Sequence, residues 1–128
     1  MKLVIGGRAQ GKLAVVLEKI PEASVADGAD CTPQEAERVQ VLNHLHLLLR
    51  RMMADGADQT ELLRWAETIL FQNPEVVILC DEIGCGIVPW EKEERDWREA
   101  VGRVCCFLAQ RAECVDRIVC GIPVRLKG

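Results

Sequence analysis

The segment Gly6-Gly-Arg-Ala-Gln-Gly-Lys12 constrains this chain more than any other stretch. It follows a strand-like apolar start, Leu3-Val-Ile5, and opens an apolar-periodic run from Leu13 to Ile20. Strand, glycine-rich turn and helix are the context of a phosphate-binding loop. The glycines let successive backbone N–H groups converge, the helix N-terminus adds partial positive charge, and Lys12 can reach the outer phosphates. Gly6, Gly11 and Lys12 meet the G-x-x-x-x-G-K spacing, so residues Gly6, Gly7, Arg8, Ala9, Gln10, Gly11, Lys12 and Leu13 are the candidate nucleotide cradle. Leu13 stands where Ser or Thr would bind Mg²⁺.

Around that loop the sequence reads as alternating strands and helices. Residues 2–5 predict a strand and 12–20 a helix. Residues 21–31 predict a polar connection. Thr32-Pro-Gln-Glu35 combines a cap, a proline suited to the first helical position and a capping box, and predicts a helix running to about Met53, stopped by Asp55-Gly56. Asp58-Gln-Thr-Glu61 repeats the start signal, with Leu62, Ala66, Ile69 and Leu70 on one face. After Asn73-Pro74, Val76 to Cys80 reads as a strand buried on both sides, and Gly84 to Pro89 as a loop. A helix from about Glu91 to Ala112 turns Trp97, Val101, Val104 and Leu108 inward. Arg117 to Lys127 reads as a closing strand, which Pro123 places at an edge or a bend. This order predicts an α/β, P-loop-containing three-layer fold with a small, mainly parallel sheet. At 128 residues, the expectation is one nucleotide-binding domain over 1–128.

Charge and composition narrow the function. A net charge of −4 gives no basic footprint for nucleic acid. No apolar run approaches the roughly 20 residues of a membrane span. The start lacks a signal-peptide pattern, so a cytoplasmic setting is expected. Seven cysteines without a C-x-x-C pair read mostly as small hydrophobes in a reducing compartment.

The second chemical signal is Val76-Val-Ile-Leu-Cys-Asp81-Glu82. A buried strand that ends in acids delivers carboxylates to the end of the sheet where α/β proteins bind ligands. Asp81 would hold Mg²⁺ through water, and Glu82 would orient or deprotonate a nucleophile. Lys12 and Glu82 are therefore the candidate catalytic residues, and Asp81 and Glu82 the candidate metal ligands. Arg95 and Arg98 are candidate anion contacts or a solvated helix face. Trp90 would stack on a ligand or pin its loop. His44 and His46 lie two apart, which in a regular helix sends them to different faces.

Asp81-Glu-Ile-Gly-Cys-Gly-Ile-Val-Pro89 resembles the Asn-Glu-Val-Gly-x-Gly-Ile-Val-Pro signature of the bifunctional adenosylcobinamide kinase/adenosylcobinamide-phosphate guanylyltransferase family. The resemblance continues through Arg95-Asp-Trp-Arg-Glu99, Gly102-Arg-Val104 and Val119-Cys-Gly-Ile-Pro-Val-Arg-Leu-Lys127, and the opening loop is similar to the family's. It implies a P-loop transferase of cobalamin biosynthesis that uses ATP or GTP with weakly held Mg²⁺, acts on a corrinoid substrate, and assembles as a homo-oligomer. Family members phosphorylate adenosylcobinamide and then transfer GMP through a guanylylated histidine. Four positions depart from the pattern: Leu13 for a hydroxyl, Asp81 for Asn, and Cys105 and Cys106 for polar residues. The chain is also shorter than the pattern, between residues 20 and 75. In one register Glu35-Ala-Glu-Arg-Val-Gln40 is similar to the histidine-bearing helix, and the acceptor position falls near Val41. In the other, this helix follows the family's second core strand, and His44 and His46 have no counterpart. A degenerate nucleotide-binding protein without catalysis is the alternative reading, and an unrelated P-loop-like fold a third.

Overall fold

The computed structural model describes residues 1–83 and 90–128. The Gly84–Pro89 loop, with most of the family-like signature, lies outside the described residues. Among the described residues, six strands form one sheet. In chain order they are β1 (Lys2–Gly6), β2 (Val25–Asp27), β3 (Val41–Asn43), β4 (Val77–Asp81), β5 (Cys114–Val119) and β6 (Ile122–Lys127), arranged β2-β3-β4-β1-β5-β6. All neighbouring pairs are parallel except β5 and β6. The helices are α1 (Lys12–Lys19), α2 (Pro33–Ala36), α3 (Leu45–Ala54), α4 (Gln59–Gln72) and α5 (Lys92–Arg111). No helix among them is long and apolar enough to cross a membrane.

Alternation along the strands sorts the core into two faces. Val4, Leu79 and Ile118 turn toward α1 and meet Val16 there. Leu3, Ile78 and Val115 turn the other way and pack on Leu45, Leu48 and Leu49 of α3, Leu62, Ala66 and Ile69 of α4, and Val101, Val104 and Leu108 of α5. This gives three layers, the α/β fold expected of the sequence. Burying each of these leucines contributes about 1.5–3 kcal/mol.

The start signals act as read. Thr32 Oγ1 accepts from the Glu35 amide at 3.1 Å, and the Glu35 carboxylate accepts from the Thr32 amide at 3.3 Å. The Asp58 carboxylate accepts from the Glu61 amide at 2.9 Å and starts α4.

The single helix expected over 32–53 is corrected. The capping box starts only the four-residue α2, and β3 intervenes before α3. Strand β2 likewise occupies the stretch read as a polar connection. Ser24 and Gln40 hold these two short strands in register. The Ser24 amide donates to Gln40 Oε1 at 2.9 Å, and the Gln40 amide to Ser24 Oγ at 3.0 Å. The closing strand is a hairpin, β5 and β6, joined by Cys120-Gly121. Both turn residues have positive φ (51 and 76), the conformation that suits a two-residue turn between twisted strands. Pro123 falls on the edge strand β6, where its missing N–H leaves no ladder bond unmade.

Candidate functional site

Strands β1, β3 and β4 run parallel, so the segments that leave their C-terminal ends converge. They line a cleft of about 740 Å³. Arg8 to Ala14 form one wall, Asn43, His44, His46 and Leu47 another, and Asp81, Glu82 and Ile83 a third, with Trp97 of α5 closing it. A smaller hollow of about 320 Å³ opens at the opposite ends of the strands, away from the glycine-rich loop.

The glycine-rich loop joins the C-terminal end of β1 to the start of α1. Ala9 and Gly11 take left-handed backbone (φ 59 and 88), which curls the chain into the start of α1. The β5–β6 turn braces it: the Gly121 amide donates to Gln10 O at 2.8 Å and the Cys120 amide to Gln10 Oε1 at 2.7 Å.

Lys12 is 6% exposed. Its Nζ donates to Gly7 O at 2.7 Å and Gly6 O at 3.2 Å, and lies 2.7 Å from Asp81 Oδ1. The register Gly6↔Asp81 sets that pair, because adjacent strands end level. Lys12 and Asp81, 69 positions apart in sequence, thus meet on the cleft floor.

Asp81 has a second partner that the sequence did not suggest. The Asp81 amide donates to His46 Nδ1 at 3.2 Å, and His46 Nε2 lies 3.3 Å from Asp81 Oδ2. That arrangement puts the imidazole proton on Nε2. Burial, against the opposing pull of the Asp81 charge, moves the His46 imidazolium below its ordinary range, so the ring is neutral. Trp97 Nε1 donates to His46 O at 2.8 Å and holds the first turn of α3.

His44 and His46 do not diverge as a regular helix would send them. His44 caps α3 in left-handed backbone (φ 56), so both imidazoles line the cleft, 5.5 Å apart and edge to face. His44 Nδ1 lies 3.0 and 3.1 Å from the two Asp27 carboxylate oxygens. Val41, where one sequence register would put an acceptor histidine on a helix, is a fully buried position of β3.

Glu82 lines the cleft, but Arg117 grips both its oxygens, Nε to Oε1 at 2.7 Å and Nη2 to Oε2 at 3.1 Å. Leu13 lines the cleft and packs on the α1-side core, offering no oxygen. Among the described residues, no group of three or more His, Cys, Asp or Glu side chains is placed to hold a metal. Arg95 Nη1 donates to Trp90 O at 2.6 Å, and the Trp90 side chain is largely exposed. Neither Arg95 nor Arg98 is among the described residues that line the cleft.

The arrangement pairs a buried ammonium with a curled, glycine-rich backbone at the start of a helix, which suits phosphate oxygens. A carboxylate and two imidazoles face the same space. No curated protein matches the chain. A family model for cobinamide kinase / cobinamide phosphate guanyltransferase matches residues 22–126, from just before β2 into β6, and the glycine-rich loop precedes that stretch. The match covers most of the chain and agrees with the family that the signature residues resemble: this protein is a member of the cobinamide kinase / cobinamide phosphate guanyltransferase family.

Proposed function

We propose that residues 1–128 act as one nucleotide-binding domain that binds ATP or GTP in the Lys12 cleft and transfers the terminal phosphoryl group to a cobinamide hydroxyl. The observation that carries this reading is the Lys12 ammonium, held between the loop carbonyls and Asp81 in a chain of this family. Phosphoryl transfer depends mainly on positioning and on charge stabilisation. Lys12 and the amides of Gly7 to Leu13 would supply both, and incubation with ATP and adenosylcobinamide tests the transfer directly.

Asp81 would hold Mg²⁺ through water, sharing its carboxylate with Lys12 and His46, because Leu13 has no oxygen and Arg117 grips both Glu82 oxygens. The ion would neutralise phosphate charge. With a single protein carboxylate its affinity should be weak, and Leu13→Ser should tighten it. Titrating Mg²⁺ into the nucleotide complex checks this. A Mg²⁺ response untouched by Asp81→Ala removes Asp81 from the role.

Guanylyl transfer is expected to be absent. It needs a histidine that attacks the α-phosphate, and β3 occupies the position of one candidate. Labelled GTP should leave no acid-labile GMP on the protein. A label lost in His44→Ala or His46→Ala would overturn that.

A second reading, binding without turnover, draws on Leu13 and on the shortening of the chain between residues 20 and 75. A homo-oligomer draws support from the edge strand β6, where Ile122, Val124 and Leu126 are exposed. Light scattering tests it.

A further inference from the structure

The two cleft imidazoles differ in what they leave free. His46 is buried and Asp81 engages both its ring nitrogens, so it has no lone pair to offer. His44 is about one-third exposed, its side chain at 37%, and only Nδ1 has a partner among the described residues. With Nδ1–H donated to the Asp27 carboxylate, Nε2 keeps its lone pair.

The surroundings hold that dyad in place. Asp27 ends β2, and its Oδ1 also accepts from the Ala29 amide at 2.9 Å. Partial burial alone would raise the Asp27 carboxyl, but the hydrogen bonds from the Ala29 amide and from His44 hold it below its ordinary range, so it stays ionised. Arg51 Nη1 donates to Gly28 O at 3.0 Å and Cys31 O at 2.6 Å, pinning the turn after β2. His44 itself sits at φ 56, a region that non-glycine residues enter mainly where the surroundings impose it. Glu82, the carboxylate that the sequence offers as a base, is instead gripped by Arg117.

Resting on the phosphoryl-transfer reading above, we propose that His44 is the general base of that transfer and Asp27 its positioning residue. The acceptor hydroxyl oxygen attacks the terminal phosphorus of the nucleotide, and its proton passes to His44 Nε2. The bond from that phosphorus to the bridging oxygen breaks, and its electron pair leaves on the nucleoside diphosphate. Nothing is oxidised or reduced. Asp27 stabilises the imidazolium, which then returns its proton to solvent through the exposed ring edge.

The test compares wild type, His44→Asn and Asp27→Asn in the full chain. Asparagine tolerates left-handed backbone, so His44→Asn keeps the cap conformation while removing the base. ATP affinity is read by calorimetry and turnover by phosphorylation of adenosylcobinamide. His44→Asn should bind ATP as wild type does and lose roughly 100- to 10,000-fold in kcat. Added imidazole should restore part of that loss. Asp27→Asn should lower kcat by roughly tenfold or more with KM for ATP unchanged. Wild-type kcat in His44→Asn overturns the assignment, and so does a phosphoryl label held covalently on His44, which would make it a nucleophile. A wild-type protein that binds no ATP, or binds it without transferring phosphate, fails the phosphoryl-transfer reading itself and takes the assignment with it.

Discussion

Lys12→Ala should weaken nucleotide binding by roughly 10- to 150-fold, the worth of one charge-assisted contact of about 1.5–3 kcal/mol. The structure adds a second consequence. Lys12 is the cation for Asp81 Oδ1 and the donor to Gly6 O and Gly7 O, and it is buried. Removing one partner of a buried ion pair destabilises by about 3–5 kcal/mol. The lower end applies here, because His46 still faces Asp81 Oδ2. Urea unfolding of Lys12→Ala and of Lys12→Ala/Asp81→Asn separates the two effects. Neutralising Asp81 should recover much of the stability and none of the affinity. Calorimetry that finds equal nucleotide affinity in wild type and Lys12→Ala would end the proposal that this loop binds phosphates.

Gly28→Ala should be among the most damaging single-methyl additions available. A Cβ at residue 28 would lie 2.1 Å from His44 O and 3.0 Å from both His44 C and Leu48 N. All three atoms are backbone, so no side chain can swing away. The Gly28 amide also donates to Asn43 O at 2.8 Å, which ties the turn after β2 to the end of β3. Overpacking in a well-ordered interior commonly costs about 1–3 kcal/mol, and a backbone-on-backbone clash belongs at the top of that range. The start of α3 would have to shift, and His44 with it. Denaturant titration gives the stability loss. A variant with an unchanged midpoint would show that the turn and α3 are free to move apart.

Much of the fold was legible because the long elements carry redundant signals. Helix α4 announces itself by its cap, α4 and α5 both by apolar spacing over several turns, and β4 by an unbroken apolar run between turn residues. The two three-residue strands carry no such signal. Val25-Ala-Asp27 is too short to show alternation. Val41-Leu-Asn43 sits between Ala36 and Leu45, where its apolar residues continue a helical stripe. Their placement is decided by tertiary partners, the Ser24–Gln40 pair and the edge of β4. The same miss hid the histidine side of the cleft. A continuous helix separates His44 from His46, whereas a strand followed by a left-handed cap brings both into one space. That Lys12 and Asp81–Glu82 would share a cleft was legible, because a glycine-rich turn after a strand and an acid-tipped strand are local patterns. That Arg117 would occupy Glu82 depends on a contact 35 residues away, which no local pattern encodes.

The bond from the Cys120 amide to Gln10 Oε1 joins positions 110 residues apart. Strand β1 takes its neighbours β4 and β5 only from segments made after β2 and β3. Closing such long loops delays folding, because the chain entropy is lost before the contacts form. During synthesis the glycine-rich loop therefore waits, unbraced, until the hairpin turn has left the ribosome. The brace on the glycine-rich loop forms only once that turn is made, and a copy truncated before Cys120 would lack it.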